Sequence, residues 1–402
     1  MNENATLPPP RITSIDIYRG FVMFLMMGEV LSFEKVSKAL PDSGFWHFLS
    51  FHQSHVEWVG CSLHDMIQPS FSFLVGVALP YSIAAREAKG ESFNTMLFHA
   101  IRRALILILL GIFLRSMFSK QTNFTFEDTL TQIGLGYVFL FLLGFRSFKV
   151  IIVSLIAILV GYFAAFALTP HAYGQVNSVF STNSEAIGVP QNWEHNLNGF
   201  MAHWNKNTNF AANFDVWFMN LFPRETPYLY NEGGYVTLSF IPTLGTMILG
   251  LIAGKELKSD SEPRAKIFTF FKWGIGLLLG GLAVHFLGIC PIVKRIWTPS
   301  WVLLSGGISF LFLAFFYGVV DVLQTKKWHY FLMVIGANSI AAYVMAHTVD
   351  RFISSSLHIH LGKNYANFLG AAYEPFVHGF FILFFEWLIL YWMYKKKIFI
   401  KI

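Results

Sequence analysis

Long apolar runs constrain this chain more than any other feature. About ten of them, roughly 17–22 residues each, recur along the 402 residues, the length a helix needs to cross a hydrocarbon core of about 30 Å. They centre on residues 15–33, 67–85, 101–117, 130–144, 150–168, 235–254, 268–287, 301–320, 331–349 and 376–394. In hydrocarbon each backbone N–H and C=O must be satisfied within its own segment, so such runs become helices. The expectation is an all-α polytopic membrane bundle of about ten transmembrane helices, organised as a single domain over residues 1–402. Charged residues make up 13% of the chain, against about 25% in a soluble domain.

Basic residues orient the bundle. Arg86, Lys89, Arg102, Arg103, Arg146, Lys149, Lys255, Lys258, Arg264, Lys266, Lys326, Lys327 and the C-terminal lysines fall on one side when the spans are threaded in order. Cytoplasmic loops are enriched in Lys and Arg, which predicts both termini in the cytoplasm. Residues 169–234, rich in Asn, Trp and Phe, then form an extracytoplasmic loop, and His52 to Asp65 fall on the same outer face. The net charge of +6 is spread between apolar segments, so it reports topology and no nucleic-acid partner is expected. The opening MNENATLPPPR lacks an apolar centre, and no cleavable signal peptide is expected. Cys61 and Cys290, the two cysteines, exclude a disulfide scaffold and are expected as thiols. Inverted halves of the kind many transporters carry are not evident.

The densest chemistry lies in residues 51–80, FHQSHVEWVGCSLHDMIQPSFSFLVGVALP, where a polar cluster runs directly into a span. Ionisable groups at the mouth of a bilayer are costly unless solvated, paired or used. His55 has the side chain best suited to exchange a proton near neutral pH; its readings are a general base or an interfacial histidine bonded to its loop. His52, His55 and Glu57 are spaced too loosely for the constrained ligands of a zinc site, and no metal is expected. Glu29, toward the outer end of the first span, either assists the histidine or caps the helix end facing water. Asp65 either caps the second span or orients His55. Asp16 and Arg19 form an i, i+3 pair that anchors the helix; in the other reading Arg19, Arg102 and Arg103 draw in an anionic ligand from the cytoplasm. Asn338, Ser339, His347 and Asp350 make the ninth span the most polar one, through helix–helix hydrogen bonds or as a polar path. Trp58, Trp193, Trp204 and Trp217 are interfacial anchors or stacking faces for a sugar ring.

Five segments, in order, resemble the heparan-α-glucosaminide N-acetyltransferase family of transmembrane acetyltransferases and its bacterial relatives. SIDIYRGFVMFLMM resembles the opening S-x-D-x-x-R-G span, and HVEWVGCSLHDMIQP, starting at His55, resembles H-x-x-W-x-G…D…P. NEGGYVTLSFIPTLGTMILGLIAGK, PIVKRIWTPSWVLLSGG and GANSIAAYV resemble three further signatures. The resemblance implies that cytoplasmic acetyl-CoA is the acyl donor and an extracytoplasmic amino sugar, free or in a glycan, the acceptor. It implies a bacterial inner-membrane location with the active histidine on the extracytoplasmic side. His55 is then catalytic, with Asp65 and Glu29 beside it. Arg19, Asn338 and Ser339 match motif positions assigned to the donor, and Glu232, with Glu57, Trp58 and Trp204, is assigned to the acceptor. Members of the family can dimerise, so a homodimer is a further expectation. The chain departs from the pattern in three places, one of them the outer-loop run HWNKNTNFAANFDVWFMNLFPRE, which does not resemble the animal enzyme closely. Glu29 stands where the family often has Asn. Thr131-Gln132-Ile133-Gly134, whose Gln132 is expected at the donor together with Arg102 and Arg103, lacks the arginine of Q-R-x-G, for which Arg102, Arg103 or Arg146 are the substitutes. An O-acetyltransferase acting on a wall glycan or lipid, and a solute transporter, are the alternative functions.

Overall fold

The computed structural model describes residues 12–169, 184–325 and 328–400. The MNENATLPPPR segment, residues 170–183 of the expected outer loop, Lys326, Lys327 and residues 401–402 lie outside the described residues. Among those described, the chain is all-helical apart from one isolated antiparallel bridge between Val59 and Val293. Among the described residues, seven helices are long and apolar enough to cross a membrane: His64–Glu87, Phe93–Ser116, Phe148–Ala167, Thr237–Lys258, Pro263–Phe286, Pro299–Val322 and Ala371–Lys395. Tyr330–Ala337 and Ser339–Thr348 pass the same test together, but are bent by 82° at Asn338. This is a helical membrane protein.

Two expected spans yield α-helices of only 15 and 16 residues. Residues 15–33 yield a 15-residue helix, Thr13–Met27, a 3₁₀ turn at Gly28–Leu31, and a left-handed Ser32 (φ 51°) that starts Phe33–Ala39 in a new direction. Residues 130–144 yield Thr129–Gly144, a 16-residue helix. Its start is set by Asp128, whose Oδ1 accepts from Leu130 N at 3.0 Å and Thr131 N at 3.1 Å, the N-cap arrangement.

The described residues form two compact units. One comprises Glu57–Gly60, 72–169 and 184–311. Its central helix is Thr237–Lys258, 83% buried, whereas Pro263–Phe286 is only 17% buried and presents Phe268, Phe271 and Leu279 outward as a lipid-facing surface. The central helix can approach its neighbour because of glycine: a Cβ on Gly250 would lie 1.9 Å from Phe73 O, and one on Gly76 2.0 Å from Met247 O. Backbones this close are the usual packing solution in membranes, where lipid offers apolar side chains no net gain from association.

The other unit comprises, among the described residues, 12–56, Cys61–Phe71, 312–325 and 328–400. Thr13–Met27 packs on Tyr330–Ala337 through the same device: a Cβ on Gly336 would sit 1.8 Å from Asp16 O, and one on Gly20 1.9 Å from Leu332 O. The first amides of Thr13–Met27 are satisfied from a distance, with Thr13 N and Ser14 N donating to Asp321 Oδ1 and Oδ2 at 3.2 and 3.1 Å. A carboxylate there also suits the positive end of the helix.

Candidate active site

The residues singled out by sequence fall into both units, and each group is built locally. In the second unit, His55 follows Gly44–Gln53 on extended chain, and Asp65 lies in the 3₁₀ turn His64–Met66 that opens the Ile67–Glu87 helix. Asp65 is fully buried. His55 Nδ1 donates to its Oδ1 at 2.8 Å, while Ser62 N, Ser62 Oγ and Val56 N surround Oδ2 at 3.0, 3.0 and 3.3 Å. A carboxylate held by so many donors fixes the ring that donates to it. With the proton on Nδ1, the Nε2 lone pair is the basic position. The His55 side chain is 37% exposed.

A second histidine and carboxylate extend the row. The His64 ring centroid lies 4.4 Å from that of His55, and His64 Nε2 is 3.1 Å from Glu29 Oε1. Glu29 is carried by the turn that ends Thr13–Met27. Gln53 braces this turn, donating through Nε2 to Gly28 O at 2.6 Å and accepting from Phe33 N at 2.8 Å. Asp65, His55, His64 and Glu29 thus form a contiguous line with a carboxylate at each end. His347 also acts on Glu29 electrostatically. His52 turns to the backbone instead, its Nδ1 accepting from Leu63 N at 3.2 Å.

In the first unit, Glu57–Gly60 is pinned by the Val59–Val293 bridge and by Gly60 N donating to Ile292 O at 3.1 Å. Trp58 Nε1 donates to Trp204 O at 3.1 Å, and both rings are fully buried, Trp204 stacked on Phe166 at 6.2 Å. These two tryptophans are core, with their faces covered. The polar rim is made by others. Glu57 Oε2 meets His195 Nε2 at 3.3 Å, both side chains well exposed, and Glu232 is exposed. The Lys206 ammonium lies 4.7 Å over the Trp193 ring. Burial, then repulsion from Arg295, holds that ammonium below the usual lysine range.

The residues assigned to the donor differ in how far they are already engaged. Gln132 is buried, donates through Nε2 to Phe126 O and Thr237 O at 2.7 and 3.1 Å, and accepts from Thr243 Oγ1 at 3.5 Å. Asn338 donates through Nδ2 to Ile398 O at 2.9 Å and accepts from Ile400 N at 3.1 Å, so its amide holds the C-terminal strand of chain at the 82° bend. Ser339 is buried at the start of the following helix. Arg19 pairs with Asp16 at 3.2 Å. Arg103 donates to Tyr137 OH at 3.2 Å and lies over that ring, while Arg102, one residue earlier, is exposed. Cys290 is a buried thiol, pushed up to about 11 by burial.

A segment of 104 residues, 26% of the chain, is 28% identical to human (Homo sapiens) heparan-alpha-glucosaminide N-acetyltransferase. The relationship is distant: the match spans 14% of that protein's length. No family model matches the chain.

Two histidines that sequence reasoning did not select belong to these groups. His64 stands beside Asp65 in the same motif, but nothing in linear spacing pairs it with Glu29. His195 lies in the expected outer loop and reaches Glu57 only through the fold.

Proposed function

We propose that this chain is a transmembrane acetyltransferase that carries an acetyl group from cytoplasmic acetyl-CoA to a glucosamine-type amino sugar on the extracytoplasmic side of a bacterial inner membrane. The observation that carries the proposal is the Asp65–His55 hydrogen bond of 2.8 Å between a buried carboxylate and a half-exposed imidazole. That arrangement supplies an oriented general base at a water boundary, and the distant relative is itself named for N-acetyl transfer.

In the proposed reaction the acceptor nitrogen attacks the thioester carbon while His55 Nε2 takes its proton. The C–S bond then breaks, and the thiolate recovers the proton from the imidazolium to leave as CoA thiol. Asp65 keeps the ring aligned and balances its transient positive charge. Glu29 and His64 sit where they polarise the acceptor or pass the proton on. The exposed guanidinium of Arg102, with Arg103 beside it on the same helix, is proposed to draw the donor's phosphates from the cytoplasm. Gln132, Asn338 and Ser339 are proposed to shape the donor path by holding backbone, and Glu57 and Glu232 to line the acceptor entrance.

The topology goes with this reading. We propose that Thr13–Met27, Thr129–Gly144 and the bent pair also span, which with the seven long helices makes ten spans, and that both termini are cytoplasmic with the loop of residues 169–234 outside. We treat residues 1–402 as one catalytic domain able to form homodimers. A second reading makes the acceptor a hydroxyl on a wall glycan or lipid. Glu29, 3.1 Å from His64, favours it because a hydroxyl needs more base assistance than a neutral amine.

Purified protein in nanodiscs, given radiolabelled acetyl-CoA and a panel of amino sugars and hydroxyl glycans, tests both. Labelled N-acetyl sugar is the expected product. Absence of label from every amino sugar removes the first reading, and CoA-independent solute uptake into proteoliposomes would replace both with transport.

A further inference from the structure

The sequence reading expects no metal, because His52, His55 and Glu57 are poorly spaced for one. A different set converges in the fold. His358 lies in the last turn of Asp350–Leu361, and Glu374 and His378 lie one turn apart at the start of Glu374–Lys395. Their nearest ligand atoms all fall within 4.8 Å of one another, and all three residues are half-buried. Three atoms bound at about 2.1 Å to one tetrahedral ion stand about 3.4 Å apart, so small side-chain rotations close the set.

The surroundings are those of ligating histidines. His358 Nδ1 donates to Ser354 O at 2.9 Å, which leaves its Nε2 as the lone-pair nitrogen. His378 Nδ1 lies 2.6 Å from Tyr365 OH, and its Nε2 lies 3.0 Å from Ser354 Oγ, a hydroxyl that an ion would displace. Metal-bound imidazoles nearly always have the second nitrogen fixed by such a partner. Beneath them Ile353, Leu357 and Ile382 pack together with Tyr365 against them, giving the ligands an apolar floor. Gly362 and Gly370, at φ 86° and 97°, turn the chain between the two helices, and residues with a Cβ rarely adopt those angles.

We propose that His358, Glu374 and His378 bind one transition-metal dication of zinc type, with two imidazole nitrogens, one carboxylate oxygen and an open position for water. Nitrogen and carboxylate donors without thiolate suit zinc or cobalt(II) rather than copper(I) or calcium. The bound ion ties the end of one helix to the start of the next.

The test uses the full-length protein in detergent, stripped with chelator and titrated with Zn²⁺, and separately with Co²⁺. The expected result is one equivalent bound per chain, a higher melting temperature with Zn²⁺, and the visible absorption of four-coordinate cobalt. His358→Ala and His378→Ala should each abolish all three. Should those variants fail to fold, Tyr365→Phe, which loses only a hydroxyl, should weaken binding by about 10–100-fold. A parent protein that binds neither ion, stoichiometric binding kept by the folded alanine variants, or unchanged affinity in Tyr365→Phe overturns the proposal.

Discussion

Asp65 Oδ1 accepts the Nδ1 proton of His55 at 2.8 Å, and the same carboxylate closes the loop between them by accepting from Val56 N and Ser62 N. Orientation of the imidazole and folding of its loop are therefore one interaction. A change at Asp65 is felt in both.

His55→Ala should lower acetyl transfer by about 10²–10⁴-fold, the usual contribution of a general base, with donor binding nearly unchanged. Steady-state rates alongside calorimetric CoA binding measure both quantities. Transfer at the parental rate would exclude His55 from the reaction.

Asp65→Asn turns an amide donor toward His55 and favours the wrong tautomer, so turnover should drop by about 10²-fold or more with the fold kept. Asp65→Ala should in addition cost about 1–3 kcal/mol, because buried N–H groups of the loop lose their acceptor. Thermal unfolding and activity of the two variants separate the effects; equal activity in both and in the parent would leave Asp65 a loop residue.

Glu29→Gln keeps the size of the side chain and removes its charge beside His64. Transfer to a hydroxyl acceptor should fall more than transfer to an amine, by about tenfold in the ratio of kcat/KM values, or about 1.4 kcal/mol. A ratio that does not move would detach Glu29 from acceptor choice.

Asp215 gives a stability profile. Burial, with repulsion from Glu127, raises its carboxyl to about 7, against the hydrogen bond from Thr237 N at 2.8 Å and the attraction of Arg224. An unfolded aspartate ionises near pH 3.9, so between roughly pH 4 and 7 the folded chain holds a proton that the unfolded chain has released. Stability then falls as pH rises through that window and levels off above it. Asp215→Asn should lack this slope, so the melting temperature of the parent should drop relative to the variant between pH 5 and pH 8. Parallel curves would contradict the raised value.

Gly336→Val would place a Cβ 1.8 Å from Asp16 O and should lose at least about 1–3 kcal/mol or most of the folded yield. Gly161→Ala, where a Cβ meets nothing within 4 Å, should be neutral or mildly stabilising. Size-exclusion yield and melting temperature of the pair decide whether close approach, rather than helix propensity, is what these glycines supply.

Sequence alone determined that the chain is helical and membrane-embedded, because hydrocarbon thickness and backbone satisfaction act on each segment separately and leave a length signal. It also pointed to His55 and Asp65, only ten residues apart on one loop. Tertiary structure decided what depends on how helices are rotated and joined: the 82° bend at Asn338, the engagement of Gln132 and Asn338 with distant backbone, the burial of Trp58 and Trp204, and the meeting of His64 with Glu29. The convergence of His358 with Glu374 and His378 belongs to the same class. Hydropathy reports whether a segment enters the bilayer, but side-chain partners are chosen by packing between segments, and no local pattern carries that choice.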